Sequence, residues 1–236
     1  MRPNSRTPAQ MRPLEIIKDV NLYAEGSCLI KFGNTHVLCT ASVDEKVPVW
    51  LQGQGRGWVT AEYSLLPRAT QTRVSRETKG VGGRTHEIQR LIGRSLRAAV
   101  DLTQMPDICI QIDCDVLQAD GGTRTASISG GFVALYIALD NLVKKGRLPR
   151  NPIKEYVAAI SCGIYDGEAV LDLDYTEDSH ADADTNFVLT ESGKIVEIQA
   201  TAEGAVFDEA DFNELFGLAK SGIHQIICAQ KKVLGE

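Results

Sequence analysis

The sequence predicts an α+β fold, mixed β-sheets with packed helices, with residues 1–236 forming a single domain. Three observations predict it. Short runs with apolar residues at every second position fall into two groups, punctuated by Gly- and Asn-containing turns, as half-buried strands do. Three longer stretches carry apolar residues at helical spacing. The order is strands, helix, strand, helix, strands, helix; on order alone, mixed α/β stays open beside α+β. A chain of 236 residues is ample for a core and suits one large domain or two small fused units.

Taken in order, residues 16–20 and 27–32 read as strands, Gly33-Asn34 as a turn, and residues 36–42 as the returning strand of a hairpin. Residues 48–58 form a Gly- and Gln-containing loop, and residues 59–63 a short strand. Residues 66–83 have weak periodicity, with Pro67, Gly80, Gly82 and Gly83, and predict a mobile, exposed loop. Residues 85–100 form an amphipathic helix, with Ile88, Leu91, Ile92, Leu96 and Val100 on one face and Thr85 as a plausible cap. Alternating Ile108, Ile110 and Ile112 mark a strand over residues 108–117, and an apolar run over 126–144 marks a long helix. Residues 146–152 break the pattern and join two halves. Hairpins follow around Asp166-Gly167 and Ser192-Gly193, and Asp208 caps a terminal helix to residue 234.

Gln118-Ala-Asp-Gly-Gly-Thr-Arg-Thr-Ala-Ser-Ile128 lies between the central strand and the long helix. Gly121 and Gly122 allow close backbone approach, and a helix start presents unpaired N–H groups and a partial positive charge. Arg124 adds a fork of donors that fits phosphate. The stretch reads as a phosphate cradle, although it lacks the GxxxxGK[ST] pattern of a P-loop. A plain strand-to-helix turn with a Thr or Ser N-cap fits the local pattern equally well.

The second unusual stretch is Asp172-Leu-Asp-Tyr-Thr-Glu-Asp178-Ser-His-Ala-Asp182-Ala-Asp184. Asp178, His180, Asp182 and Asp184 share parity and would line one face of an extended strand. Like charges in a row need a cation or arginines, and carboxylate oxygens suit Mg²⁺ or Mn²⁺. Six extended residues span about 20 Å, so Asp178 and Asp184 share an ion only across a turn, whereas Asp182 and Asp184 could share one from a straight strand. The competing reading is a solvated acidic loop that keeps an edge strand soluble. His180 alone reads as a surface or packing histidine.

The net charge of −6 argues against a general nucleic-acid binder, but its distribution argues for a local one. From Arg56 to Arg97, nine basic residues face three acidic ones, a segment of +6 that leaves −12 elsewhere. A basic field within an acidic protein points to a polyanion held at one place. About half of these arginines are expected in salt bridges instead. Six cysteines without a CxxC pair read as reduced thiols of a cytosolic protein and argue against zinc. The polar, basic residues 1–12 do not resemble a signal peptide. No apolar run near 18 residues is evident, so no membrane span or membrane partner is expected.

Cradle, basic segment and carboxylates together point to a reaction on a phosphate ester. No GxSxG and no nucleophile with a paired base emerges, so phosphate itself could be the nucleophile.

Several blocks, in order, now carry a family resemblance. They are Met1-Arg-Pro, Gly26-Ser with Lys31-Phe-Gly-Asn-Thr, Gly57-Trp-Val-Thr-Ala-Glu-Tyr63, Leu66-Pro-Arg-Ala, Gly83-Arg-Thr-His-Glu-Ile-Gln-Arg-Leu-Ile-Gly-Arg94, Asp113 through Ser127, and Asp172 through Asp184. End to end, the sequence resembles the bacterial ribonuclease PH family. The resemblance implies the ribonuclease PH fold (ribosomal protein S5 domain 2-like), shared with exosome ring subunits and polynucleotide phosphorylase, and a cytoplasmic homohexamer built as a trimer of dimers. It implies a phosphate-dependent 3′→5′ exoribonuclease, a nucleotidyltransferase that trims tRNA precursors and other RNA 3′ ends, takes part in tRNA and rRNA processing and releases nucleoside diphosphates. Reverse nucleotide addition follows from the same chemistry. Departures are mild: Asn4-Ser5 stands where many relatives have Ser-Gly, and Gln104-Met-Pro-Asp falls in a variable loop.

By matching position, the resemblance assigns Arg84, Gly122, Thr123 and Arg124 to the site of inorganic phosphate, the co-substrate, with Thr125 and Ser127 at the adjoining helix start. It assigns Asp178 and Asp184 to metal-assisted catalysis with Mg²⁺ (or Mn²⁺), which requires a turn between them. Arg68, Arg73 and Arg76 match the basic loop associated with tRNA binding. Two other classes remain: a ring subunit that binds RNA without cutting, against which the intact Arg124 and Asp184 argue, and a hydrolytic metal-dependent nuclease.

Overall fold

A computed structural model describes residues 2–236; Met1 lies outside the described residues. Two sheets face a shared central helix. The first sheet holds β1 (Leu14–Lys18), β2 (Gly26–Phe32), β3 (Thr35–Asp44), β4 (Trp58–Leu65) and β5 (Cys109–Gln118) in the order β1-β2-β3-β5-β4. Its pairs are antiparallel except β4 with β5, which run parallel because helix α1 (Gly83–Ala99) crosses between them. The second sheet is wholly antiparallel: β6 (Val157–Tyr165), β7 (Glu168–Leu171), β8 (Ala183–Thr190) and β9 (Ile195–Ala202), in the order β7-β6-β8-β9.

Helix α2 (Thr123–Lys144) packs against β2, β3 and β6, and so lies between the two sheets. Its apolar side chains face both ways, and Phe132, Val133, Leu135 and Leu139 are fully buried. Gly26 lets it approach: a Cβ there would fall 2.1 Å from the Ala134 carbonyl oxygen. Helix α4 (Glu209–Leu234) covers β6 and β7, capped by Asp208, which accepts from the Ala210 and Asp211 N–H groups. One contiguous core runs from Cys28 to Ile227, with both sheets contributing.

The structure corrects four expectations. By length and composition α2 is apolar enough to cross a membrane, contrary to the sequence reading, but most of it is buried between the sheets, so the apolarity serves the core. Helix α1 starts at Gly83 with Gly82 as N-cap; Thr85 is inside its first turn and its hydroxyl donates to Glu77 at 3.1 Å. Helix α2 starts at Thr123, so the predicted cradle includes its first turn. The acidic stretch is no strand: Tyr175–Asp178 forms a helical turn, α3, capped by Asp174, and β8 begins at Ala183. A capping box between Asp174 and Glu177 outweighs the period-2 pattern there. All six cysteines are free, four of them buried.

Candidate active site

The site lies where the C-terminal end of β5, the start of α2 and the α3–β8 turn meet, in a cavity of about 1030 Å³. Gly121 and Gly122 take φ of 74° and 66° to turn the chain from strand to helix. Gly122 is the N-cap of α2 and no side chain caps it, which leaves first-turn N–H groups and the positive helix end for an anion. A Cβ on Gly121 would lie 2.6 Å from the Leu173 carbonyl oxygen, so the cradle rests directly on the segment leading to α3.

Gly122, Thr123 and Arg124 line the cavity, and so does Arg84 from the first turn of α1. The Arg124 guanidinium is oriented by two acceptors, Gln199 at 2.8 Å and Glu87 at 3.4 Å. The Arg84 side chain is exposed and makes no hydrogen bond or ion pair among the described residues, and its charge acts on Asp178 across the cavity. The Tyr63 hydroxyl, from β4, bonds the Thr123 hydroxyl at 2.8 Å; burial raises the tyrosine pKa. Thr125 and Ser127, both assigned from the resemblance, turn away from the cavity. Their hydroxyls donate to the Gly122 and Thr123 carbonyls at 2.9 and 2.8 Å, because the residues fall on the core side of the first turn.

Asp178 ends α3 and Asp184 is the second residue of β8; both line the cavity. Burial raises the Asp178 pKa, against the pull of Arg124 and Arg84. Burial and the charge of Asp178 push Asp184 up to about 6. Two carboxylates thus share one partly dry space. The intervening turn separates Asp182 from them: it is absent from the cavity lining and its Oδ1 sits beside Gly204. His180 is exposed, with Nδ1 donating to the Thr176 carbonyl at 2.8 Å.

Arg68, Arg73 and Arg76 are exposed, and their side chains make no hydrogen bond or ion pair among the described residues. Other residues of the same loop, Thr70, Gln71, Thr72 and Val74, line the cavity, whereas the three arginines are not part of its lining. The expectation that about half of the basic segment forms salt bridges is not met within the described residues: of its nine basic residues only Arg94 pairs, with Glu197 at 2.5 Å, while Arg97 lies over the Trp58 ring.

Sequence reasoning missed Tyr63, Gln199 and Asn186 in the lining, since each belongs to an ordinary strand pattern. It also missed three buried arginines. Arg2, Arg6 and Arg12 meet Asp172 and Glu177 directly behind the cavity, each residue 9% exposed or less. The only available signal was an arginine every four to six residues in a stretch otherwise without structure-forming pattern.

The model of the 3′ exoribonuclease family, domain 1, matches residues 10–139, and that of domain 2 matches residues 155–222. A ribonuclease PH from Methylocella silvestris is 57% identical over 233 residues, 98% of each chain. Among solved structures, rice (Oryza sativa) Rrp46 superposes with a TM-score of 0.80 at 20% identity, covering 99% of this chain and 100% of that one. An Archaeoglobus fulgidus exosome with RNA bound to the active site gives 0.78 at 24% identity, covering 99% and 92%. These distant structures share the fold. With both halves matched in order and a relative so similar along its whole length, the chain belongs to the 3′ exoribonuclease family, as a member of its ribonuclease PH branch.

Proposed function

We propose that the phosphate-dependent 3′→5′ exoribonuclease activity of this chain, which serves tRNA processing, is divided among two guanidinium groups, one helix start and two carboxylates. The observation that supports this most is their convergence: Arg84, Arg124, the open start of α2, Asp178 and Asp184 all line one cavity. Attack by phosphate on a phosphodiester brings two anions together. Unit charges about 4 Å apart repel by about 4 kcal/mol at an effective dielectric of 20. Arg84 and Arg124 offset that repulsion, and the α2 N–H groups orient the attacking phosphate. Tyr63 fixes the Thr123 hydroxyl at the same edge.

Asp178 and Asp184 suit Mg²⁺ or Mn²⁺. No group of three ligating side chains exists among the described residues, but Mg²⁺ typically takes one or two carboxylates and keeps its waters. The raised pKa of Asp184 fits this: two carboxylates close together are relieved by a cation between them. Bound there, the ion would supply charge stabilisation for the leaving 3′-oxygen. Arg68, Arg73 and Arg76 would hold the RNA body beside the cavity mouth, away from the chemistry. Thr125 and Ser127 would act only by stiffening the first turn of α2.

The same reading includes release of nucleoside diphosphates, the reverse addition of nucleotides from them, a cytoplasmic location without a membrane partner, and both halves acting as one folding unit on their shared core. The test is omission of phosphate from a digestion of 3′-extended tRNA precursor. Cleavage should stop and resume with phosphate, yielding nucleoside diphosphates. Continued cleavage to monophosphates would make the chain a hydrolase, and no cleavage in either case would make it a binding subunit.

A further inference from the structure

The N-terminal segment carries a buried lattice of three arginines and two carboxylates, with Asp174 3.7 Å from Arg6 at its edge, that the reaction as described does not use. Arg12 donates from Nε and Nη2 to the two oxygens of Asp172, at 3.0 and 2.6 Å, and from Nη1 to the Asp120 carbonyl, immediately before the cradle glycines. Thr35, fully buried, sits beneath the same point: its hydroxyl accepts from the Asp120 N–H at 3.0 Å and donates to the Gly121 carbonyl at 2.7 Å. At the other end, Arg2 grips Glu177 with two bonds of 2.6 and 2.8 Å, and Arg6 adds a third at 2.8 Å. Glu177 is fully buried and immediately precedes Asp178. Asp172, held between the ends, takes a left-handed φ of 59° that costs an L-residue energy and persists only where its surroundings impose it. Arg6 bridges both ends by donating to Asp172 and Glu177.

Breaking a buried ion lattice costs much more than it gains over an apolar core, so stability alone is weak grounds for keeping one. Its placement offers another. The cradle and the carboxylate turn come from opposite halves of the chain and touch chiefly through Gly121 on Leu173 and the Asp120 side chain on the Tyr175 N–H at 3.4 Å. Catalysis by positioning requires that attacking phosphate and carboxylates keep a fixed relation, since small misplacements are costly. We propose that this lattice sets that relation: Arg12 with Thr35 positions the phosphate cradle, and Glu177, held by Arg2 and Arg6, positions Asp178. None of these residues touches substrate; they are positioning residues for the site proposed above, on which this inference rests.

The two ends should have separable kinetic signatures. In the full-length protein, rates per folded molecule are measured on a 3′-extended tRNA precursor across a phosphate titration, with the folded fraction taken from circular dichroism. Arg12→Lys and Thr35→Val should raise the phosphate KM about 10-fold with kcat within about threefold, the mark of an interaction lost from phosphate binding. Glu177→Gln should lower kcat about 10-fold or more with the phosphate KM within about threefold, the mark of an interaction expressed in the transition state. Should Arg12→Lys or Glu177→Gln fail to fold, Thr35→Val and Arg2→Lys carry the same two expectations, since the carboxylate that Arg2 holds is Glu177. A merely structural role predicts lowered thermal stability but no change in either constant once rates are normalised, and that result overturns the proposal. So does an equal shift of both constants at both ends. Arg124→Ala is run beside them. If it leaves activity at limiting phosphate unchanged, the cradle reading itself has failed; if it destroys that activity while Arg12→Lys and Thr35→Val leave the phosphate KM alone, only the positioning inference falls.

Discussion

Arg124 and Asp184 answer different demands on a single residue. Arg124 is held by Gln199 and Glu87 and carries charge into the cavity without supporting the core. Charge-assisted hydrogen bonds contribute about 1.5–3 kcal/mol, so Arg124→Ala should cut phosphorolysis at limiting phosphate by about 100-fold while fold and RNA affinity persist. Steady-state rates at low phosphate check this, and parity with the parent would refute it. Asp184 is kept ionised at a cost. Its pKa of about 6 lies above the ordinary carboxylate value, so between about pH 4 and 6 the folded state binds more protons than the unfolded one. Stability of the metal-free protein therefore falls, through this group, as pH rises across that window, and the whole penalty, at most about 3 kcal/mol, stands at neutral pH. Asp184→Asn should melt higher than the parent at neutral pH in EDTA, lose that pH dependence, bind tRNA precursor nearly as well and be close to inactive. Asp182→Asn, outside the cavity, should be milder. Thermal melts across pH with parallel binding and single-turnover cleavage decide it; an inactive Asp182→Asn beside a normal Asp184→Asn would reverse the assignment.

Among the elements, the loop between β4 and α1 is where the proposed RNA binding would be separable from the chemistry. Thr70, Gln71, Thr72 and Val74 of the loop line the cavity, and the side chains of its three arginines are exposed and make no hydrogen bond or ion pair among the described residues. Replacing Arg68, Arg73 and Arg76 with Ala should weaken tRNA binding and flatten its salt dependence, by roughly 0.9 per duplex phosphate contact or 0.7 on a single strand. Very short oligonucleotides should be cut almost as before. A binding titration over several salt concentrations tests this, and an unchanged slope would assign the arginines to subunit contacts. These elements also show where pattern reading succeeded. Helices α1, α2 and α4 and the hairpins were legible because their apolar residues keep one period over many positions. Helix α3 was not: four residues are too few for a period, and only the Asp174 and Glu177 spacing hinted at its cap.

For the whole molecule, Leu22, Tyr23, Val49 and Trp50 are exposed apolar side chains in two short stretches. The homohexamer that the family resemblance implies should appear in light scattering at six times the 25.7 kDa chain mass. A monomeric mass would remove the hexamer from the account. The shared core under both sheets predicts one cooperative unfolding transition, despite the two family segments that meet along the chain.

The sequence by itself determined which chemistry this protein can perform. The glycine–threonine–arginine run, the basic segment and the spaced aspartates are local patterns whose meaning depends on residue type and order, and the strand and helix periods around them are local too. Only the tertiary structure decided which of those residues share a cavity. It turned Thr125 and Ser127 inward, set Asp182 apart from Asp184 despite their common parity, and brought Tyr63 and Gln199 in from distant strands. It also placed Arg2, Arg6 and Arg12 beneath the site, which no local pattern could announce, because their partners Asp172 and Glu177 lie some 160 to 175 residues away along the chain. Burial and long-range pairing are properties of packing, and packing is settled only when the two halves close on α2.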